Sequence, residues 1–293
     1  MSAPLQLTGQ NKDLGGGFIV RRLLPNANCP SIGPFVFFDH FGPFSVKPGS
    51  NHDVRPHPHI GLATVTYLFE GAIFHRDSLG SAQRIAPGAV NWMTAGRGIV
   101  HSERGPVDLK TTVYVNHGIQ LWAALPAAYE EVAPEFTHTP TADIPELTVG
   151  DADVRVLIGS AFGRTSPVKT YTPTVYLDIC LPAGGTVDLP VLAVEAGVYA
   201  IDHGWLLNGE LIAAHTIVLL EGAASVSAPQ GAQLMVVGGD PLDGHRFVWW
   251  NFVSSRKERI QQAADDWTAQ AMGQVPGETE LIPLPERKPL SPG

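Results

Sequence analysis

The chain has 293 residues, with 31 Gly, 25 Pro, a hydrophobic share of 44% and only 16% charged residues. That much apolar matter excludes a disordered chain, and breakers at that density exclude an all-helical bundle, because an interior Gly or Pro costs a helix about 1 or 3 kcal/mol. The formal charge of -9 disfavours general attraction to a phosphate backbone, so no direct nucleic-acid partner is expected.

In chain order, GGGFIVRRLLP (residues 15–25) reads as a strand, followed by the turn-rich NANCPSIGP and a second strand in PFVFFDHF. The loop GPFSVKPGSNHDVRP leads into HPHIGLATVTYLFEG, where residues 64–69 are dense in β-branched and aromatic side chains and end at Glu70 and Gly71. AIFHRDS, GAVNWMTAG, GIVHSER, KTTVYVNHG and IQLWAAL continue as short runs between Gly, Pro and Asn turns, the grammar of a sandwich or barrel. Residues 126–150 hold four prolines and little alternation, and read as a connection. After it, VRVLIGS, TVYLDICLP, GTVDLPV, GVYAIDHG, LIAAHTIVLL and AQLMVVGGD repeat the strand pattern. Near the end, Ser255 and Glu258 form a capping-box pattern, and Ile260, Ala263, Ala264, Trp267 and Ala271 mark one face of a short helix that Gly273 stops. The mixed charge of SRKERIQQAADDW points to a helix docked on the C-terminal domain rather than on DNA or a membrane, and the tail after it reads as extended.

The expected fold class is therefore all-β: two tandem β-barrel or jelly-roll domains with a short C-terminal helix. The expected division is an N-terminal domain at 1–130, a linker at 131–150 and a C-terminal domain at 151–293. Cys29 and Cys180 stand far apart without a CxxC, so both are expected as free buried thiols. The start MSAPLQLTGQNK has no apolar core segment, no run reaches membrane-span length, and a cytoplasmic location is the expectation. There is no GxGxxG opening a helix, no GKS/T loop, no HExxH and no GxSxG. The glycines near 15 and 239 read as turn residues.

Eight of the 11 histidines lie at or before His138. In RPHPHIG, His57 and His59 are two residues apart and share one face if the segment is extended. In VHSER, His101 and Glu103 repeat that period and would add a third nitrogen and a carboxylate oxygen. Three nitrogens and one oxygen suit Fe(II), and also Mn, Co, Ni or Zn; an octahedral ion so held keeps two positions open. A zinc hydrolytic site remains possible from the same residues, as do two separate surface pairs. Pro56 and Pro58 favour extended geometry around His57, and Gly96 and Gly98 mark a bend before the second pair. Of the neighbours, His75 and Asp77 either orient a ligand or form an ordinary strand-end pair. His52 and Asp53 either line a mouth or sit in a solvated turn. Arg97 either closes a turn or sits beside the pocket, Trp92 and Met93 read as core, and His40 as a satisfied core histidine.

RRLLP, FFDHF, RPHPHIGLATVTYLFEG, HRDS and GAVNWMTAGRGIVHSE, in this order across residues 21–103, together resemble pirin-family proteins, which are two-domain cupins. The closing helix and the second strand set extend the similarity over most of the chain. The resemblance implies that His57, His59, His101 and Glu103 each match a metal-ligand position, with Fe(2+) the expected ion, in the N-terminal cupin. It also implies a quercetin 2,3-dioxygenase-type reaction, in which O2 opens the ring of a small phenolic substrate with release of carbon monoxide and Glu103 accepts the proton of the metal-bound hydroxyl. The alternative it carries is a metal- and redox-responsive regulator that binds a protein partner; a vestigial, structural site is the third reading. Many pirins and general cupins have a Glu where this chain has Ala63, a departure expected to spare the metal site while altering the pocket. The C-terminal cupin shows no equivalent of the two pairs, and two cupins in one chain suggest a monomer.

Overall fold

The computed structural model describes residues 4–15, 17–50 and 52–286. The fold is all-β, as expected, and Lys257–Thr268 is the α-helix among the described residues. Two seven-stranded and two four-stranded sheets form the two halves, one of each per half, with the second large sheet borrowing Gln6–Thr8 from the first, and the ladders within them are antiparallel.

The two seven-stranded sheets pack face to face. Along the Leu62–Glu70 strand, Ala63, Val65 and Tyr67 face Leu157, Tyr176, Tyr199, Met235 and Val237 of the second half, while Leu62 and Leu68 enter separate clusters on the opposite face. The Tyr114–Ala124 strand splits in the same way: Ile119, Leu121 and Ala123 join the seam, and Trp122 and Ala124 the barrel interior. With both faces covered, such strands lose the polar alternation of a half-exposed sheet, which is why PFVFFDHF is nearly continuous in apolar residues.

Several polar side chains that punctuate the seam are paired, although the buried Tyr176 hydroxyl has no partner. The Tyr67 hydroxyl donates to Asp178 Oδ2 (2.6 Å), and Arg155 Nη1 donates to the Tyr67 oxygen (3.0 Å). His40 is the satisfied core histidine expected, although its partners span both domains: Nδ1 meets the Tyr199 hydroxyl at 2.7 Å and Nε2 meets His117 Nε2 at 2.8 Å. Gly238 and Gly239, expected in a turn, instead end the Ala232–Gly239 strand. They are small because the first domain closes on them: a Cβ on Gly33, itself at φ +54°, would lie 2.5 Å from the Gly239 nitrogen.

Several further expectations are corrected. The connection at 126–150 is structured, because Glu135–Thr139 pairs with Val90–Thr94 and Glu146–Val149 pairs with Ala152–Ile158. Cys29 is buried but Cys180 is exposed, at the outward position of the Thr174–Leu181 strand. The helix does not dock on the second half alone: Ile260, Ala263, Ala264 and Trp267 share one cluster with Phe252 of that half and with Ile60 and Val100 of the first. An apolar stripe announces burial but not the surface that buries it. No capping box forms either. The N-cap is Arg256 without a side-chain cap, and Ser255 instead gives its N–H (2.7 Å) and hydroxyl (2.9 Å) to Glu130. The chain ends thus cross over, since Gln6–Thr8 pairs with Thr216–Leu219 of the second half. No described helix is long and apolar enough to cross a membrane.

Candidate metal centre

The Val54–His59 strand, kept extended by Pro56 and Pro58, pairs antiparallel with Ile99–Arg104 so that His57 stands opposite His101. The preceding turn uses Gly96 and Gly98 at φ +51° and +150°. Between them Arg97 is exposed and donates its N–H to the Val132 carbonyl (3.0 Å), so it closes the turn and does not sit at the pocket. Trp92 and Met93 are core residues.

The strand pairing brings His57, His59 and His101 together: all are buried, with one ring nitrogen from each within 4.8 Å of the others. Two separate surface pairs are thereby excluded for these three. Their outer nitrogens are held. His57 Nδ1 lies 2.9 Å from the Arg55 carbonyl and His59 Nδ1 lies 3.1 Å from the Asn251 carbonyl, so each carries its proton on Nδ1 and leaves Nε2 as a lone pair. His101 follows through a relay. Its Nδ1 faces His75 Nδ1 at 3.4 Å, and His75 Nε2 faces Asp77 Oδ2 at 3.0 Å. Since the carboxylate accepts a hydrogen bond from the His75 Nε2–H, His75 Nδ1 accepts from His101, whose Nε2 is left buried without any partner.

An orphaned, buried nitrogen costs about 1–3 kcal/mol unless something fills its lone pair, and three neutral imidazoles suit a borderline transition-metal ion. Burial pushes the pKa of His57 down to about 4 and those of His59 and His101 well below the usual range. At neutral pH the donors are therefore uncharged, as metal binding needs. The site fits a metal ion.

Asp77 shows how the relay is set. Burial raises its pKa, but hydrogen bonds from His75 and Ser81 outweigh that and hold the carboxyl below the usual range. Its Oδ1 accepts the Leu79 N–H (2.9 Å) and the Ser81 N–H (3.0 Å), while Phe136 stacks on His75 at 4.1 Å. Of the two readings of His75 and Asp77, the geometry supports orientation of a ligand. Asp77→Asn is expected to weaken metal binding about tenfold by chelator competition; affinity equal to wild type would sink the relay.

Glu103, two residues after His101, lies near His75, and burial pushes its pKa up; the Thr66 hydroxyl donates to Gln120 Oε1 (2.8 Å). The 4.8 Å group itself consists of the three histidines. Ala63 belongs to the domain seam, so the departure there does not alter the pocket as expected. Asp53 binds the Gly105 N–H (2.8 Å) and Arg104 (3.4 Å), and His52 packs between Phe18 and Phe44 at 5.9 and 4.9 Å.

Three features lay outside the sequence reading. The Asn251 carbonyl that fixes His59 comes from a segment 192 residues away. Trp122 stands edge-on to His59 at 5.2 Å and stacks on Phe37 at 4.0 Å, while Arg22 lies 4.4 Å over Phe37 and forms a two-pronged pair with Asp39 at 2.8 and 2.7 Å. A cavity of about 740 Å³ lies not at the triad but against Phe74, Arg76, Arg104, Lys110 and residues 277–280.

Residues 17–123 match the family model described as Pirin, and residues 176–273 that of the Pirin C-terminal cupin domain. The chain is 45% identical over 289 residues to a pirin-like protein of Caulobacter vibrioides, covering 96% of this chain and 99% of that one. It is similar to the crystal structure of quercetin 2,3-dioxygenase from Acinetobacter baumannii, with TM-score 0.89, 32% identity and 97% of each chain covered. The bacterial pirin YhhW from Escherichia coli, solved in complex with nickel(II), has the same fold at TM-score 0.64 and 17% identity, over 81% of this chain and 99% of that one.

Proposed function

This chain belongs to the pirin family of two-domain cupins, and from that premise we propose that it is a mononuclear iron protein that opens a flavonol-type phenol with O2, as a quercetin 2,3-dioxygenase does. The proposal assigns the chemistry to the unit at 1–130 and a metal-free, supporting role to the unit at 151–293. The observation that carries it is the convergence of three neutral, buried imidazoles around the unpartnered Nε2 of His101.

His57, His59, His101 and Glu103 would hold the ion, which supplies Lewis acidity toward a phenol and redox contact with O2. Glu103 does the proton work. In the metal-free protein burial raises its pKa, so a carboxylate freed from the ion is a stronger base than a solvated glutamate and can take the proton of a substrate hydroxyl. The stacked Phe37 and Trp122 beside His59 offer a flat apolar wall to an aromatic ring. A monomer is part of the reading, because the large sheets cover each other within one chain.

The test is anaerobic loading with Fe(II), then quercetin and O2, following substrate loss, oxygen uptake and carbon monoxide. Turnover above free Fe(II) is expected, and turnover no faster than free iron overturns the enzyme reading. Glu103→Ala is expected to lose iron and at least about a hundredfold in turnover. Undiminished turnover after iron removal would refute the mechanism.

A further inference from the structure

We propose that residues 277–282 form a strap that holds the Ile99–Arg104 ligand strand in shape from behind, with Glu278 a positioning residue for His101 and Glu103. This rests on the metal reading above and extends it to a segment beyond the helix.

After Lys257–Thr268 the chain returns across the outer side of the small sheet that carries the histidines. Trp267 Nε1 donates to the Ile282 carbonyl (3.0 Å), and the Ile282 N–H donates to the carbonyl of Pro56, the residue before His57 (2.9 Å). Val275 is buried in one apolar cluster with Ile60 and Val100, which neighbour His59 and His101 in sequence. The strap is therefore anchored on both ligand strands.

Its polar contact falls at a particular place. Inward-facing His101 and Glu103 alternate with outward-facing Ser102 and Arg104, as the period of a strand requires. The Ser102 hydroxyl donates to Glu278 Oε1 (2.5 Å), and Arg104 Nε donates to Glu278 Oε2 (3.1 Å). One carboxylate thus grips both residues that flank Glu103. Glu278 has a side chain only 5% exposed, whereas Glu280, also on Arg104 at 2.8 Å, is 57% exposed. The buried contact is the stronger of the two, because charge-assisted bonds weaken where water competes.

The grip also coincides with a fault in the ladder. Pairing between Ile99–Arg104 and Val54–His59 shifts register between His101 and Glu103, although pairing to Ile73–Asp77 on the other side stays regular. The extra residue lies on the Val54–His59 strand, so on that side Ser102 has no one-to-one ladder partner and the Ile99–Arg104 strand needs a brace from elsewhere at that point. Glu278 supplies that brace. Without it, Glu103 loses its fixed direction relative to His101 while both barrels keep their cores.

Glu278→Gln keeps the size and removes the charge. Glu146→Gln makes the same change at an exposed carboxylate that pairs with Arg155 (3.6 Å) on the second seven-stranded sheet, and serves as control. Each protein is loaded with Co(II), whose visible and electron-spin spectra report ligand geometry. Wild type and the control are expected to share one spectrum; Glu278→Gln is expected to show a shifted, broadened spectrum and to surrender cobalt to a chelator about tenfold faster. Ser102→Ala, which removes a single donor, is expected to move both readouts in the same direction by less, and keeps the test open if Glu278→Gln does not fold. Unchanged spectra and release rates in the folded variants, beside a normal wild-type spectrum, overturn the strap alone. A wild type that gives no ligand-bound cobalt spectrum overturns the metal reading and the strap with it.

Discussion

His101→Ala is expected to cost the protein its metal while sparing the metal-free fold. A structural metal site supplies about 10–16 kcal/mol through four ligands, so one donor is worth roughly 3 kcal/mol, a few hundredfold in affinity. In the metal-free protein the balance differs. His101 Nε2 is buried without a partner, and truncation removes that unsatisfied nitrogen along with the ring's packing. The substitution also leaves His75 without its 3.4 Å neighbour, a modest loss for so long a contact. Metal added to wild type should raise the melting temperature, because a ligand that binds only the folded state stabilises it by mass action. Metal added to His101→Ala should barely move it. Thermal melts of both proteins with and without Fe(II) or Co(II), together with metal content after gel filtration, make the comparison. An equal metal-induced rise in both would show that the ion sits elsewhere.

The three histidines that converge were legible in the sequence because a strand turns every second residue to one face, as His57 and His59 show; Glu103, expected beside His101 by the same period, stands outside their 4.8 Å group. The bracket of prolines and the glycine bend were legible for the same local reason. What was hidden is non-local. Nothing near His59 in sequence shows that its Nδ1 is held by the Asn251 carbonyl, nor that the last helix packs beside Ile60 and Val100. The helix is legible from its stripe, but its seat between Phe252 and the first half's Ile60 and Val100 is not, since a stripe carries no address. The two strands in 126–150 escaped because their residues alternate weakly at the sheet margins, where one face stays wet. Polar residues at the seam misled in a milder way. Tyr67 and His40 sit in runs that look like plain core, and their hydroxyl and imidazole are kept by partners brought from the second domain.

Those seam partners make stability depend on pH. Burial pushes the His40 pKa down to about 3, with His117, His215 and Arg21 adding repulsion in that order. His117 and His215 are also lowered by burial; Glu70 and Asp202 oppose the shift at His117, and Asp202 opposes it at His215. In each case the folded protein refuses a proton that the unfolded chain accepts below about pH 6.5. Stability is therefore full above about pH 6.5 and falls as pH drops toward the folded value, by about 1.4 kcal/mol per pH unit for each fully buried group. For His40 alone the loss by pH 5 is roughly 2 kcal/mol. A proton on His40 would also place charge between the Tyr199 hydroxyl and His117, at 2.7 and 2.8 Å, so the domain seam is one place where acid acts. The buried triad histidines titrate with the same sign, and a comparison with His40→Gln separates the two sources. Urea unfolding of metal-free wild type and His40→Gln at pH 7.5, 6 and 5 is the measurement. The variant is expected to be less stable at pH 7.5 and to lose less on acidification, its slope smaller by about one proton. Parallel slopes would mean that His40 is already solvated, and that the two sheets do not close over it as their packing requires.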